Sequence, residues 1–314
     1  MTLLIRKPGI LTTVQDLGRT GHRSLGINPN GVMDRTAARL ANTLLGNDEN
    51  EAVIEMHFPA AEIEFDTECS FAIGGADFAA ELNGTSVRNW TSFKTNKGDV
   101  LSFTKPVSGS RACLAVKNGF AMDEWLNSRS TNLVAKVGGY DGRKLNAGDR
   151  IDLRDPRTVK PHSIAPSIIP KYSHFPTVRV IPSGEFELLT AISEREFLAD
   201  GFNVTKDSNR MGYRLSGRPL HLLHKKELVS AAVTFGAIQL LPDGQLIVLM
   251  ADHQTAGGYP RIANVISADL PLLAQLGAND GVSFHLVSIE EAERLAADFE
   301  RDLCRLRTGI RLLG

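Results

Sequence analysis

The run QLIVLM, Gln245 to Met250, passes directly into ADHQTAGGYPRI, Ala251 to Ile262, so Asp252, His253, Gln254 and Thr255 stand between an apolar stretch and a Gly-Gly-Tyr-Pro turn. QLIVLM reads as a buried strand, and a strand end is a rigid place from which polar groups can line a cavity mouth. Carboxylate, imidazole, carboxamide and hydroxyl groups there suit hydrogen bonding to a small polar ligand. Gly257 and Gly258 permit a tight turn, and Tyr259 presents a ring and a phenol together. A buried Asp252 bonded to turn amides accounts for the carboxylate equally well, and spacing leaves both readings open.

A second cluster, TTVQDLGRTGHRSLGINPNGVMDRTA (12–37), interleaves Gln15, Asp16, Arg19, His22, Arg23 and Asp34 with glycines. Glycine lets backbone approach a ligand closely, and arginine offers a planar donor fork for carboxylate, carbamate or phosphate. The same residues also suit a long, internally hydrogen-bonded loop in which Asp34 merely caps a helix. A third group, DSNRMGYRLSG (207–217), supplies Arg210, Tyr213 and Arg214, either for a site or as basic decoration of an exposed hairpin.

Short β-like runs must position these clusters: SFAIGG, FAAELNG, VLSFTK and ACLAVKNG in the first half, VRVIPSG, FGAIQLLPDG and QLIVLMAD in the second. Helical spacing is confined to three segments. Asp34 caps DRTAARLANTLLGN, Ser193 and Glu196 form a capping box for SEREFLAD, and Ser288 and Glu291 open SIEEAERLAADFERDLCRLR. Residues 155–177 carry five of the 14 prolines and read as a linker. The expected division is therefore 1–155, a linker over 156–176, and 177–314.

The 35 Lys+Arg and 36 Asp+Glu are evenly mixed, which argues against nucleic acid or anionic membrane as a partner. Cys69, Cys113 and Cys304 are odd in number and far apart, which fits a reducing cytoplasm better than a disulfide framework. Neither a signal-peptide core nor a membrane-length apolar run is present in the sequence. P-loop, dinucleotide, G-x-S-x-G and biotinyl-lysine motifs are missing, and His221 and His224 in HLLHKK lack the pattern of a zinc site. No metal is expected.

Eight stretches together resemble a known family: TTVQDLGRTG (12–21), GVMD (31–34), ANTLLGN (41–47), SRSTNL (128–133), VGGYDGRKLNAGD (137–149), SNRMGYRLSG (208–217), GAIQLLPDG (236–244) and DHQTAGGYPRIANVISADLPLLAQL (252–276). In order and across nearly the whole chain they are similar to the carboxyltransferase subdomain A/B family, also called allophanate hydrolase subunit 2. The resemblance implies a mainly β fold with a few helices, arranged as two cyclophilin-like β-barrel subdomains, A before the linker and B after it.

The resemblance also implies an ATP-dependent 5-oxoprolinase, opening 5-oxoproline to L-glutamate with a subdomain C/D (allophanate hydrolase subunit 1-like) protein and a lactam-utilisation-type subunit. ATP would be used by the complex, and no biotin is expected on this chain. Two other family roles are the carboxyltransferase part of a biotin-dependent urea or amide carboxylase, and a non-catalytic regulator that binds an inhibitor of a histidine kinase. For a urea, carbamoyl or lactam ligand the resemblance implies catalytic contacts from Asp252, His253, Gln254, Thr255 and Tyr259. Substrate binding would come from Gly257, Gly258 and Arg261, and from Gln15, Asp16, Arg19 and Asp34 facing the cleft from the other half. No nucleophile is evident, so the roles implied are positioning and electrostatic stabilisation. Asn118-Gly119-Phe120 and the GANDG turn from Gly277 depart from the family pattern and affect local loop shape.

Overall fold

Short alternating runs separated by Gly, Asn and Asp turns become antiparallel strands in the computed structural model, which describes residues 1–224 and 228–313. Lys225 and Lys226 of HLLHKK lie outside the described residues. The fold is mainly β, with helices at Arg35–Leu44 (α1), Ala191–Ala199 (α2), Leu270–Ala274 (α3) and Ile289–Leu313 (α4). None of them is long and apolar enough to cross a membrane among the described residues.

The chain forms two compact units that are not successive halves. One holds residues 1–19, 30–170 and 300 onward; the other holds 20–29 and 171–299. The stretch read as a linker is laid along the first unit as far as Pro170. Ser70 N–H donates to Arg157 O and Ser92 N–H to His162 O, and Thr91 bridges to Ser163. Proline fixes the extended geometry there, and neighbouring residues supply the N–H groups that proline lacks.

The first unit has two antiparallel sheets. One runs Arg150–Asp152, Thr2–Lys7, Glu62–Phe65, Val100–Phe103, Ala80–Leu82 and Thr85–Ser86; the other runs Thr12–Gln15, Val53–Met56, Ser108–Val116, Cys69–Asp77 and Ser92–Thr95. Leu3, Ile5, Ile63 and Phe65 from the first sheet and Val14, Ile54, Phe71 and Leu114 from the second share one fully buried core. Phe65 meets Phe71 across it, with ring centroids 5.4 Å apart. α1 packs on the second sheet through Ala37, Leu40, Ala41 and Leu44. Its N-terminus is capped as the sequence indicates, Asp34 Oδ1 accepting from Ala37 N–H at 2.8 Å.

The second unit contains a closed seven-stranded barrel, in the order Thr177–Pro182, Arg261–Val265, Ala237–Leu240, Leu246–Leu249, Gly212–Ser216, Phe202–Val204 and Gly281–Leu286. The last strand closes on the first in parallel, Val178 opposite Phe284, and the remaining pairs are antiparallel. Phe197 of α2 stacks on Phe284 at 4.9 Å. α2 begins earlier than the Ser193 capping box implies, because Thr190 Oγ1 accepts from Ser193 N–H while Ser193 Oγ accepts from His221 N–H. Ser288 does cap α4, accepting from Glu291 N–H at 3.2 Å.

Candidate functional site

Where Leu246–Leu249 ends, backbone hydrogen bonds fold the chain over instead of letting the strand continue. Met250 N–H donates to Met211 O, Asp252 N–H to Arg210 O and His253 N–H to Met250 O. Asp252 is held further by its side chain: Arg210 Nε lies 2.9 Å from Oδ2 and Nη2 lies 3.0 Å from Oδ1. Its carbonyl accepts from Asn28 Nδ2 at 3.0 Å, and Arg23 donates to Val233 O, so the loop 20–29 belongs to this unit and not with the rest of the N-terminal cluster. His253, 2% exposed, has Nδ1 2.6 Å from Gln254 O. A carbonyl only accepts, so Nδ1 carries the hydrogen.

The chain then returns across the outside of the barrel. Thr255 O accepts from Val233 N–H, Ala256–Gly257 pairs with Ala231–Ala232, and Leu240 N–H donates to Pro260 O. Gly257 packs directly on Gln239: a Cβ there would lie 2.8 Å from Gln239 Nε2 and would displace that carboxamide. Gly258 has room for a side chain. Arg261 is anchored by Glu185, with Nη2 2.6 Å from Oε1, and that hydrogen bond holds its guanidinium pKa above the ordinary value, while Nη1 donates to Ala232 O at 3.4 Å.

Gln254 and Tyr259 meet in a cleft of about 470 Å³, whose wall also carries Asn209, Met211 and Arg214. Cross-strand register explains the floor. Arg214 stands opposite Ile247, and Ile247 opposite Gln239, so the three side chains share the outer face of the barrel wall. Gln239 is fully buried, and neither Nε2 nor Oε1 finds a hydrogen-bond partner among the described residues. Leaving buried polar groups unpaired costs about 1–3 kcal/mol each, so this amide is the most conspicuous polar feature of the floor. The sequence alone does not single out Gln239; its one signal there is a carboxamide inside the otherwise apolar strand of GAIQLLPDG.

Arg210 and Tyr213 are buried, the latter donating to Leu276 O at 3.2 Å, so DSNRMGYRLSG is part of the barrel wall and not an exposed basic hairpin. The expected contacts Gln15, Asp16, Arg19 and Asp34 lie in the first unit. The Asp16 carboxylate there accepts from Gly18 N–H, Ser128 Oγ, Arg129 N–H and Ser130 Oγ at 2.5–2.8 Å. Arg19, 1% exposed, donates to Asn30 and to Ser130 O beneath Trp125, and Gln15 Nε2 donates to Thr13 Oγ1 and Thr131 O. These bonds join TTVQDLGR to SRSTNL. VGGYDG closes over the same knot: Gly139 has φ 55°, and a Cβ there would lie 1.9 Å from Thr131 Oγ1. Asn118-Gly119 and GANDG form turns, with positive φ at Asn118, Gly119 and Asn279.

Residues 25–286 match the family described as carboxyltransferase domain, subdomain A and B, and the chain belongs to that family. Among its relatives, the C subunit of the Haemophilus influenzae 5-oxoprolinase is 38% identical over 94% of both chains. Its Escherichia coli K12 counterpart is 36% identical over 95% of this chain and 96% of the relative. The crystal structure of K. lactis urea amidolyase superposes with a TM-score of 0.92 at 27% identity, covering 97% of this chain and only 20% of that much longer one. The barrel and its companion sheets are thus the architecture of a carboxyltransferase domain.

Proposed function

We propose that this chain is the C subunit of an ATP-dependent 5-oxoprolinase, a hydrolase complex that opens 5-oxoproline to L-glutamate in the cytoplasm. The observation that carries the reading is the end-to-end match to the two bacterial relatives of that name, which share its length as well as its sequence. Its partners are a subdomain C/D protein and a lactam-utilisation-type subunit. ATP belongs to the assembled complex.

The chemistry is consistent with a chain that supplies no nucleophile. Transfer of the ATP γ-phosphoryl group to the lactam oxygen releases ADP and converts a poor electrophile into one that water attacks; breaking the ring C–N bond then frees the amine, and loss of inorganic phosphate leaves the carboxylate. The contribution of this chain is to bind and orient, through Gln254 and Tyr259 at the cleft, while Asp252 and His253 shape the loop behind them. Gln15, Asp16, Arg19 and Asp34 act by holding their own loop in shape.

Omitting this chain from a mixture of the three purified subunits is expected to abolish ATP-dependent glutamate release; full activity without it would sink the reading. The likeness to urea amidolyase favours a second reading, a carboxyltransferase working with a biotinylated partner. That reading requires avidin to block turnover.

A further inference from the structure

We propose that the cleft over Gln239 binds a five-membered lactam bearing a carboxylate, with the Gln239 carboxamide pairing the amide edge and Arg214 taking the carboxylate. This assignment rests on the functional reading above and gives it a location. The Gln239 side chain lines the cleft at full burial, with both amide atoms unpartnered among the described residues. A carboxamide presents one acceptor and one donor side by side. In a trans amide the N–H and C=O point in opposite directions, so a single carboxamide reaches only one of them. Ring closure makes the lactam amide cis and brings both groups to one edge, where Gln239 donates to the oxygen and accepts from the nitrogen.

Urea and primary amides share that edge, so the carboxylate must separate the ligands. Arg214 faces the same cleft two strands away, at about 10 Å between backbones, a gap its long side chain spans in part. Its guanidinium makes no ion pair among the described residues. Asp207 and Asp243 line the rim as well and repel an anion, which restricts the ligand's carboxylate to the arginine. Entry requires the Ala256–Gly257 strand over Gln239 to lift, and among the described residues its pairing is short, two ladder positions with Ala231–Ala232 and the adjacent Val233 N–H to Thr255 O bond.

Calorimetry and saturation-transfer NMR on the full chain, alone and with its partner subunits, test the site with L-5-oxoproline, 2-pyrrolidinone, N-methyl-2-pyrrolidinone and urea. Removing the N–H by methylation is expected to weaken lactam binding about tenfold or more, a result that needs no protein variant. Gln239→Leu, checked for native circular dichroism, is expected to weaken both L-5-oxoproline and 2-pyrrolidinone. Arg214→Gln is expected to cost about tenfold for L-5-oxoproline while leaving 2-pyrrolidinone unchanged. Equal binding of the methylated lactam, unchanged affinity in folded Gln239→Leu, urea binding as tightly as L-5-oxoproline, or no saturable lactam binding would overturn the proposal. Lactam binding with this pattern in a mixture that releases no glutamate rejects the functional reading and leaves the site standing. Glutamate release with a KM untouched by Gln239→Leu does the reverse.

Discussion

Arg210 and Asp252 form a two-pronged ion pair in which each residue is only 7% exposed, and it fastens the 207–212 turn to the end of the Leu246–Leu249 strand. Removing one partner leaves the other charge buried. Asp252→Ala is therefore expected to destabilise the protein by about 3–5 kcal/mol in urea unfolding. Adding Arg210→Met should recover most of that loss. A single variant as stable as wild type would show that the pair does not hold the loop.

Asp16 plays a comparable part in the first unit, accepting from two backbone N–H groups and two serine hydroxyls. Asp16→Ala leaves these donors unpaired and should cost about 3 kcal/mol or more, with Asp16→Asn intermediate because one oxygen still accepts. Chemical denaturation of both variants checks the order. An Asp16→Ala protein of unaltered stability would argue that the carboxylate serves a ligand and not the fold.

The strands, the cap of α1 and the family were legible because alternation, turn residues and motif order are local properties of the chain. The partition into units was not: the pairing of Arg23 with Val233 and of Asn28 with Asp252 joins residues more than two hundred positions apart. The polar stretch after QLIVLM was legible as a strand followed by a loop. Which of its side chains stay available depended on partners elsewhere, since Arg210 occupies Asp252 and Glu185 occupies Arg261. Gln239 was not legible because burial without a partner among the described residues is a three-dimensional property.

Asp149 gives an acid-side prediction. Hydrogen bonds from Arg143, aided by Asn146 N–H, hold its carboxyl below the ordinary value of 3.8. A depressed folded pKa contributes stability in full above the unfolded pKa and loses it as pH falls through the folded one. The stability gap between wild type and Asp149→Asn should thus be constant from neutrality to about pH 5 and shrink below about pH 4. Urea midpoints measured across that range would show it. A gap that widens on acidification would reverse the assignment.

The cysteines should differ sharply in reactivity. Cys304 is exposed, whereas Cys69 and Cys113 are buried and burial pushes the Cys69 thiol up to about 11. One of the three thiols should react with a disulfide reagent in the native protein at neutral pH, and all three after denaturation. Rapid native reaction of two or more would contradict the packing of the first unit.

The central claim is that this chain is an indispensable subunit of a lactam-opening hydrolase. Its most direct test is to combine it with the subdomain C/D protein and the lactam-utilisation-type subunit, supply ATP and 5-oxoproline, and measure glutamate release with each subunit withheld in turn. The account predicts release only from the complete mixture; release that persists without this chain would contradict it.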